Sequence, residues 1–201
     1  MTGIEKYKMS FTTAGLLRNE TIMIARLFVA SHDWAVVRHH VLAENCIQQN
    51  AMSSRIRIFR EIRMRLDMLS DAERGILVSG TRRDIDAILW LAICRLYKFI
   101  GDFAAEVLHE KFFSIQRKIE FVDFNLFVEQ KSVIHSELSA LTDSTMKRLR
   151  QILFSFMRNC GLIDREGHIQ PFFFSPETAK IMNDNPLELS YFPTVMGGSG
   201  K

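Results

Sequence analysis

Hydrophobic and polar positions follow a helical period over most of this chain. Residues near 16–30 and 34–45 place apolar side chains three and four positions apart, as amphipathic helices do. The most apolar stretch, 85–100, is typical of a buried helix; Arg95 and Lys98 interrupt it, and it is too short to span a bilayer. The pattern predicts a mainly α-helical globular protein with no membrane segment.

The segment 51–66 carries five arginines against one acid. On a helical wheel the apolar arc consists of Met52, Ile56, Ile58, Phe59, Ile62 and Leu66, and the opposite arc consists of Arg57, Arg60, Glu61 and Met64. Arg63 and Arg65 lie at the arc edges, where we expect them to pack against the core or to pair with acids. Ser53 and Ser54 lie where a capping hydroxyl is expected. Such a face is either a solvated surface or a DNA-recognition helix.

The elements around this segment favour the DNA interpretation. Ser31 and Asp33 are placed to cap a short helix, WAVVRHHVLAEN, and a polar connection then leads into the basic helix. Helix, short helix, turn and basic helix form a helix-turn-helix order. Ser70 and Glu73 have capping-box spacing and predict the start of a further helix.

The second half of the chain repeats this plan. The polar cluster 141–145 predicts the start of another basic helix, which ends before Gly161. Its polar side carries Lys147, Arg148, Arg150, Gln151 and Arg158. Residues 162–174 predict two short strands about Gly167, a β-hairpin wing that would cover Phe154.

We therefore predict a mainly α fold of two winged-helix-like (helix-turn-helix) subdomains joined by a helical middle, with one short β-hairpin wing. The N-terminal helix-turn-helix subdomain covers 1–69, the connecting helical core 70–120 and the C-terminal winged-helix subdomain 121–193. Residues 194–201 are expected to be a flexible tail, and their GGSGK ending is typical of vector-derived residues.

Composition limits the chemistry further. The net charge is only +3, so a nucleic-acid surface must be a local patch. Three scattered cysteines without a CxxC pair predict reduced thiols in a cytoplasmic protein and no zinc site. No phosphate-binding loop or dinucleotide fingerprint is present, and Glu106 with His109 forms a single Glu-x-x-His pair where a di-iron site needs two. We expect no enzymatic activity, no cofactor and no metal.

Several blocks resemble a known family. SFTTAGLLRNE, HDWAVVRHHVLAEN, SSRIRIFREIRMRLDMLS, ILWLAICRLYKFIGDFAAEVL and LTDSTMKRLRQILFSFMRNCGLI, followed by YFP, occur in this order over about 9–193. Together they resemble the BrxA family, the small accessory proteins of BREX phage-defence systems. The resemblance implies two winged-helix-like subdomains, a loose similarity to the antitermination factor NusB, and non-enzymatic binding of double-stranded DNA. The first basic helix runs directly into LSDAERGIL without a hairpin-forming turn, so a wing is expected only in the second unit.

The candidate DNA-binding residues lie on the two basic helices and at the predicted wing tip. They are Ser53, Ser54, Arg55, Arg57, Arg60, Thr145, Lys147, Arg148, Arg150, Gln151, Arg158, Arg165 and His168. The N-terminal Lys6, Tyr7 and Lys8 are either a DNA-contacting arm or part of a disordered tail. Two alternatives remain open, a protein–protein adaptor that docks on other BREX subunits and a NusB-like RNA-binding factor.

Overall fold

The computed structural model describes residues 5–194. Its α-helices are α1 (Arg18–Ser31), α2 (Trp34–Leu42), α3 (Met52–Asp67), α4 (Asp71–Ser79), α5 (Arg82–Leu96), α6 (Lys98–Phe103), α7 (Glu110–Phe112), α8 (Phe121–Ser132), α9 (Ser136–Ser139), α10 (Asp143–Asn159), α11 (Pro176–Asn183) and α12 (Pro186–Leu189). A single 3₁₀ turn, Ser10–Thr13, precedes α1, and a π-helical segment, Ala104–His109, connects α6 to α7. The predicted mainly helical fold is confirmed. None of the helices within 5–194 is long and apolar enough to cross a membrane.

Helix α5 is the centre of the core. Every residue from Ala87 to Cys94 is buried, as the continuous apolar run predicts. Helices α3, α4, α6 and α10 all pack against it, and α1 packs against α4. The buried side chains form one cluster that extends from Tyr7 to Phe192, so the three predicted segments share a core. The boundaries predicted between those segments stay a prediction, and residues 195–201 of the predicted tail lie outside the described part of the chain.

Short-range signals place the helix ends well. The Asp33 carboxylate accepts a hydrogen bond from the first turn of α2, and Ser70 and Glu73 form the expected capping box of α4. The Thr142 hydroxyl caps α10, and Gly161 adopts a left-handed φ of 73° just beyond its end. Each cap depends on residues within a few positions of one another, which is why the sequence alone could predict it.

The predicted β-hairpin wing is wrong, and with it the winged-helix description. No strand forms among residues 5–194; the region has only two isolated antiparallel bridges, Ile163 with Ile169 and Lys118 with His168. The Asp164 carboxylate accepts hydrogen bonds from two backbone N–H groups within the turn, and Gly167 supplies its positive φ of 91°.

The chain beyond this turn explains why a two-stranded ladder does not extend. Pro171 has no backbone N–H to donate. The next N–H, from Phe172, donates to the carbonyl of Pro193 near the far end of the described chain. The apolar run that indicated a strand instead buries Phe172 against Phe192, whose ring centroids lie 5.3 Å apart. The backbone N–H and the ring of Phe172 therefore contact the C-terminal segment, and they are not available to extend a hairpin.

Residues 6–8, predicted as a DNA-contacting arm or part of a disordered tail, are neither, because Tyr7 is packed into the protein. Tyr7 is buried, its hydroxyl donates to Asp102 over 2.6 Å, and its backbone N–H donates to Glu137 over 2.7 Å. Its ring stacks on His135, with the ring centroids 3.9 Å apart. Burial and the neighbouring Asp102 carboxylate raise the pKa of the Tyr7 hydroxyl. These contacts fix the segment against the C-terminal half of the protein.

A buried ion pair fixes α3. The guanidinium of Arg65 donates to Glu61 over 3.0 Å, one turn away, and both side chains are almost fully buried. Arg65 also donates to the carbonyls of Gly15 and Leu16, and the Tyr97 hydroxyl donates to Glu61 over 2.7 Å. The expectation that Arg65 serves the fold is confirmed, whereas the outward position expected for Glu61 is wrong. Burial and the Glu61 carboxylate raise the pKa of Tyr97.

We expect Arg65→Met to lower the free energy of unfolding by about 3–5 kcal/mol, because it leaves the Glu61 carboxylate buried without its cation. Urea denaturation of the full chain measures this loss. Arg63→Met is the matched control, since Arg63 is half exposed beside Asp67 and an exposed pair contributes about 1 kcal/mol or less. Equal, small losses in the two variants would contradict a stabilising role for the buried pair.

Candidate nucleic-acid interface

The outward face of α3 presents two unpaired guanidinium groups. Ile58, Ile62 and Leu66 are buried on one side of the helix, and Arg57 and Arg60 are exposed on the other. Neither arginine has an ion pair or a hydrogen bond with another residue in the range 5–194. They lie three residues apart, about 4.5 Å along the axis, so both can reach one anionic surface.

The first turn of α3 differs from the sequence prediction. The helix begins at Met52 with Ala51 at the N-cap position, and no side chain caps it. Ser53 and Ser54 therefore lie inside the first turn, Ser53 exposed and Ser54 half-buried. Their hydroxyls are not committed to capping, so Ser53 is free to donate to a ligand outside the helix.

Arg55 is held by the protein's own backbone. Its guanidinium donates to the carbonyls of Leu42, Gln49 and Asn50 over 3.0, 2.8 and 3.4 Å. These carbonyls belong to the end of α2 and to the loop before α3, so Arg55 joins the two helices. Sequence spacing could not reveal this role, because loop carbonyls become visible as acceptors only once the chain has folded.

The exposed turn of α3 also carries apolar side chains. Met52 and Ile56, expected on the core-facing arc, are 50% and 48% exposed. The packed part of α3 begins at Ile58, so the first turns project beyond the core. In the major groove of DNA, an apolar side chain can contact the methyl group of thymine, and a guanidinium can bind the edge of guanine.

Helix α10 offers a second basic face. Lys147, Arg148 and Gln151 are exposed, and their side chains have no hydrogen bond or ion pair with described residues. Thr145, in the first turn of the helix, is also exposed, and its hydroxyl lies 2.9 Å from that of Thr142. Leu149, Leu153 and Phe156 are buried on the opposite side. Apart from Arg150, the residues predicted on the polar side of this helix are exposed, as the wheel predicts.

Arg150 differs from its neighbours on α10. It is half-buried, donates to the Asn125 side chain over 3.0 Å and stacks on the ring of Phe121, with 4.4 Å between its Cζ atom and the ring centroid. The guanidinium therefore connects α10 to α8. Like Arg55, it has a structural position that helical spacing did not predict.

Arg158, near the end of α10, and Arg165, on the turn after it, line the same cavity. Both are exposed, and the cavity has a volume of about 220 Å³ and a wall that includes Phe121 and Phe154. Phe154 is buried as expected, but beneath Phe121, with the ring centroids 4.9 Å apart, and not beneath a wing.

The turn that carries Arg165 also brings Asp164, Glu166 and His168 together. Each offers one ligand atom, and these atoms lie within 4.8 Å of one another. Burial acts to raise the pKa of Asp164, but the hydrogen bonds from the backbone and side chain of His168 outweigh it and lower that pKa. The carboxylate's role in closing the turn accounts for this grouping. His168, predicted at the tip of a wing, is exposed on this turn, and its ring Nδ1 atom lies 3.2 Å from Asp164 Oδ2.

Comparison with known proteins agrees with the resemblance seen in the sequence. The family model of BrxA matches residues 5–186. The chain belongs to the BrxA family. Two curated relatives carry the name BREX protein BrxA: one from Escherichia coli O9:H4 (strain HS) is 23% identical over 83% of this chain and 79% of that protein. The other, from Bacillus cereus (strain H3081.97), is 24% identical over 80% of each. As a member of the BrxA family, this chain is a BREX protein.

The fold has a counterpart among solved structures. A crystal structure of an uncharacterized protein from Magnetospirillum magneticum superposes with a TM-score of 0.81 over 94% of this chain and 100% of that chain. The identity is 18%, so this likeness supports the fold alone. The helical arrangement described for this BrxA-family chain is therefore one that a crystal structure also shows.

We expect Arg55→Ala to lower the free energy of unfolding by about 1–3 kcal/mol, because three backbone carbonyls lose their donor. Arg57→Ala is the matched control on the same helix; it removes an exposed, unpaired cation and should change the stability by about 0.5 kcal/mol or less. Chemical denaturation of both variants measures the difference. An Arg55→Ala protein as stable as Arg57→Ala would contradict the structural position given to Arg55.

Proposed function

We propose that this BrxA-family chain is a non-enzymatic, cytoplasmic double-stranded DNA-binding protein of a BREX phage-defence system. One observation carries the proposal: exposed cations without partners among the described residues recur on the outward faces of α3 and α10 and on the turn after α10. The members of this set, called here the DNA-facing cations, are Arg57, Arg60, Lys147, Arg148, Arg158 and Arg165. By contrast, Arg55, Arg65 and Arg150 on the same helices donate hydrogen bonds to groups within the protein.

Electrostatic attraction supplies the affinity in this proposal. Each cation that approaches a phosphate releases a condensed counterion, which favours binding and makes it depend on salt. Arginine adds geometry, because its planar fork holds a phosphate or the edge of guanine with two hydrogen bonds. Since the chain's total charge is only +3, this clustering on two helices is what would attract a duplex.

The helical form of the site favours duplex DNA over duplex RNA. A helix enters the major groove of B-form DNA, where Arg57, Ser53 and the exposed Ile56 could contact base edges. The major groove of A-form RNA is deep and narrow, so side chains on a helix cannot read it. The NusB-like RNA-binding alternative therefore has less support from the geometry.

A separate observation favours a second candidate function, that of an adaptor. Val122, Leu126 and Val133, at helical spacing along α8 and just beyond it, are 51%, 50% and 84% exposed. Exposed apolar side chains in a row are typical of a protein-binding surface. Another BREX subunit is the partner that family membership suggests. The two functions use different surfaces and are compatible.

The charge pattern predicts a measurable salt dependence. If about four to six phosphates are neutralised, log K for a short duplex should fall with log salt at a slope of about −4 to −5. Two double variants should each bind the duplex far more weakly: Arg57→Glu/Arg60→Glu and Lys147→Glu/Arg148→Glu. In each, the slope of log K against log salt should become less negative by about 2. Fluorescence anisotropy at several salt concentrations measures both quantities.

Arg26→Glu/Arg38→Glu is the matched control, because both arginines are exposed on α1 and α2 and the charge change is the same. For this variant, both the affinity for the duplex and the slope of log K against log salt should stay close to those of the unaltered protein. If all three double variants lose affinity equally, binding depends on net charge and the proposed site is wrong. If the unaltered protein binds no duplex at moderate salt but co-purifies with another BREX subunit, the adaptor function is the correct one.

A further inference from the structure

The cavity at the end of α10 combines an aromatic wall with a cationic rim. Phe121 and Phe154 form its apolar side, and Lys118, Arg158 and Arg165 stand around it. Its volume is about 220 Å³, and it is open to solvent. It lies at the C-terminal end of the α10 basic face, so a nucleic acid on that face passes beside it.

Phe121 is an exposed ring held in a fixed position. It is the first residue of α8, and its side chain is 50% exposed. The buried ring of Phe154 meets it at an interplanar angle of 74°, and the Arg150 guanidinium covers part of it. Arg150 is in turn held by Asn125. The ring is thus restrained from two sides and still accessible from the cavity.

The charges at the rim favour an anion. Lys118 is paired with Glu120 over 3.4 Å, which neutralises both. Of the remaining charged groups in the lining, Arg158 and Arg165 are exposed cations without partners among the described residues, and Glu166 is the one acid. The rim therefore keeps a net positive charge of one beside the aromatic wall.

We propose that this cavity receives an unpaired nucleotide of a DNA that has both duplex and single-stranded parts. The base stacks on Phe121, and Arg158 and Arg165 hold the adjacent phosphates, while the duplex lies on the basic faces of α10 and α3. Aromatic stacking accepts any base, because every base has a π-face, so no sequence preference is expected. This inference rests on the proposed function and adds the kind of DNA that the site prefers.

The test compares a blunt duplex with the same duplex carrying a short single-stranded extension, both titrated with the full chain. The extended duplex should bind at least about fivefold more tightly, the range of one stacked base. A 2-aminopurine placed in the extension should lose fluorescence on binding. Phe121→Leu keeps the apolar contact with Phe154 but has no π-face, so it should abolish both effects and leave the blunt-duplex affinity unchanged.

Phe173→Leu is the matched control, because Phe173 is 67% exposed beside the Arg83 guanidinium and lies outside the cavity. It should keep the preference for the extended duplex. Equal binding of the two DNAs, or a preference that survives in Phe121→Leu, would overturn this inference and leave the proposed function intact. If neither DNA binds, the proposed function fails and the inference fails with it.

Discussion

The buried ion pair between Glu61 and Arg65 is the constraint on which the candidate site depends. A charge inside a protein is costly unless it is paired and hydrogen-bonded. Arg65 is paired with Glu61 and donates to the carbonyls of Gly15 and Leu16, which leaves its Nη2 as the one buried nitrogen of this guanidinium without a partner among the described residues. This network fixes the rotation of α3 about its axis. Arg57 and Arg60 then necessarily point outward. The same arginine packs against Phe156 of α10, with 5.6 Å between its Cζ atom and the ring centroid, so the two basic helices share one anchor.

Apart from Arg63, which pairs with Asp67 at the surface, the arginines of α3 and α10 divide into two groups by what they contact. Arg55, Arg65 and Arg150 donate to the protein itself and join separate elements of the fold. The DNA-facing cations have no such partners and stand on the surface. A guanidinium that is already satisfied gains little from a phosphate, whereas an exposed unpaired one gains a charge-assisted contact. Binding is therefore expected from the second group, although all of these residues look alike in the sequence.

Local features were predictable from the sequence, and long-range ones were not. The caps at Asp33, Ser70 and Thr142 depend on residues within one helical turn, and α5 follows from one continuous apolar run. The burial of Glu61 depends on Arg65 and Tyr97, and the position of Arg55 depends on loop carbonyls, so neither could be read from a helical wheel. The hairpin prediction failed for the same reason: Phe172 packs and bonds with the C-terminal segment, about 20 residues away. Of the candidate site, the helical wheels predicted the exposure of Arg57 and Arg60 on α3 and of most polar residues on α10. They did not predict the internal hydrogen bonds of Arg55 and Arg150, and the DNA contacts themselves stay a prediction.

A crystal structure of the protein with a short duplex is the most direct test. The account predicts that guanidinium or ammonium groups from both α3 and α10 lie within hydrogen-bond distance of phosphates or base edges, among them Arg57 or Arg60 and Lys147 or Arg148. It also predicts that Arg55 and Arg65 keep their carbonyl partners. A duplex seated on another surface, such as the exposed faces of α1 and α2, or one that draws Arg65 out of its pair with Glu61, would contradict it.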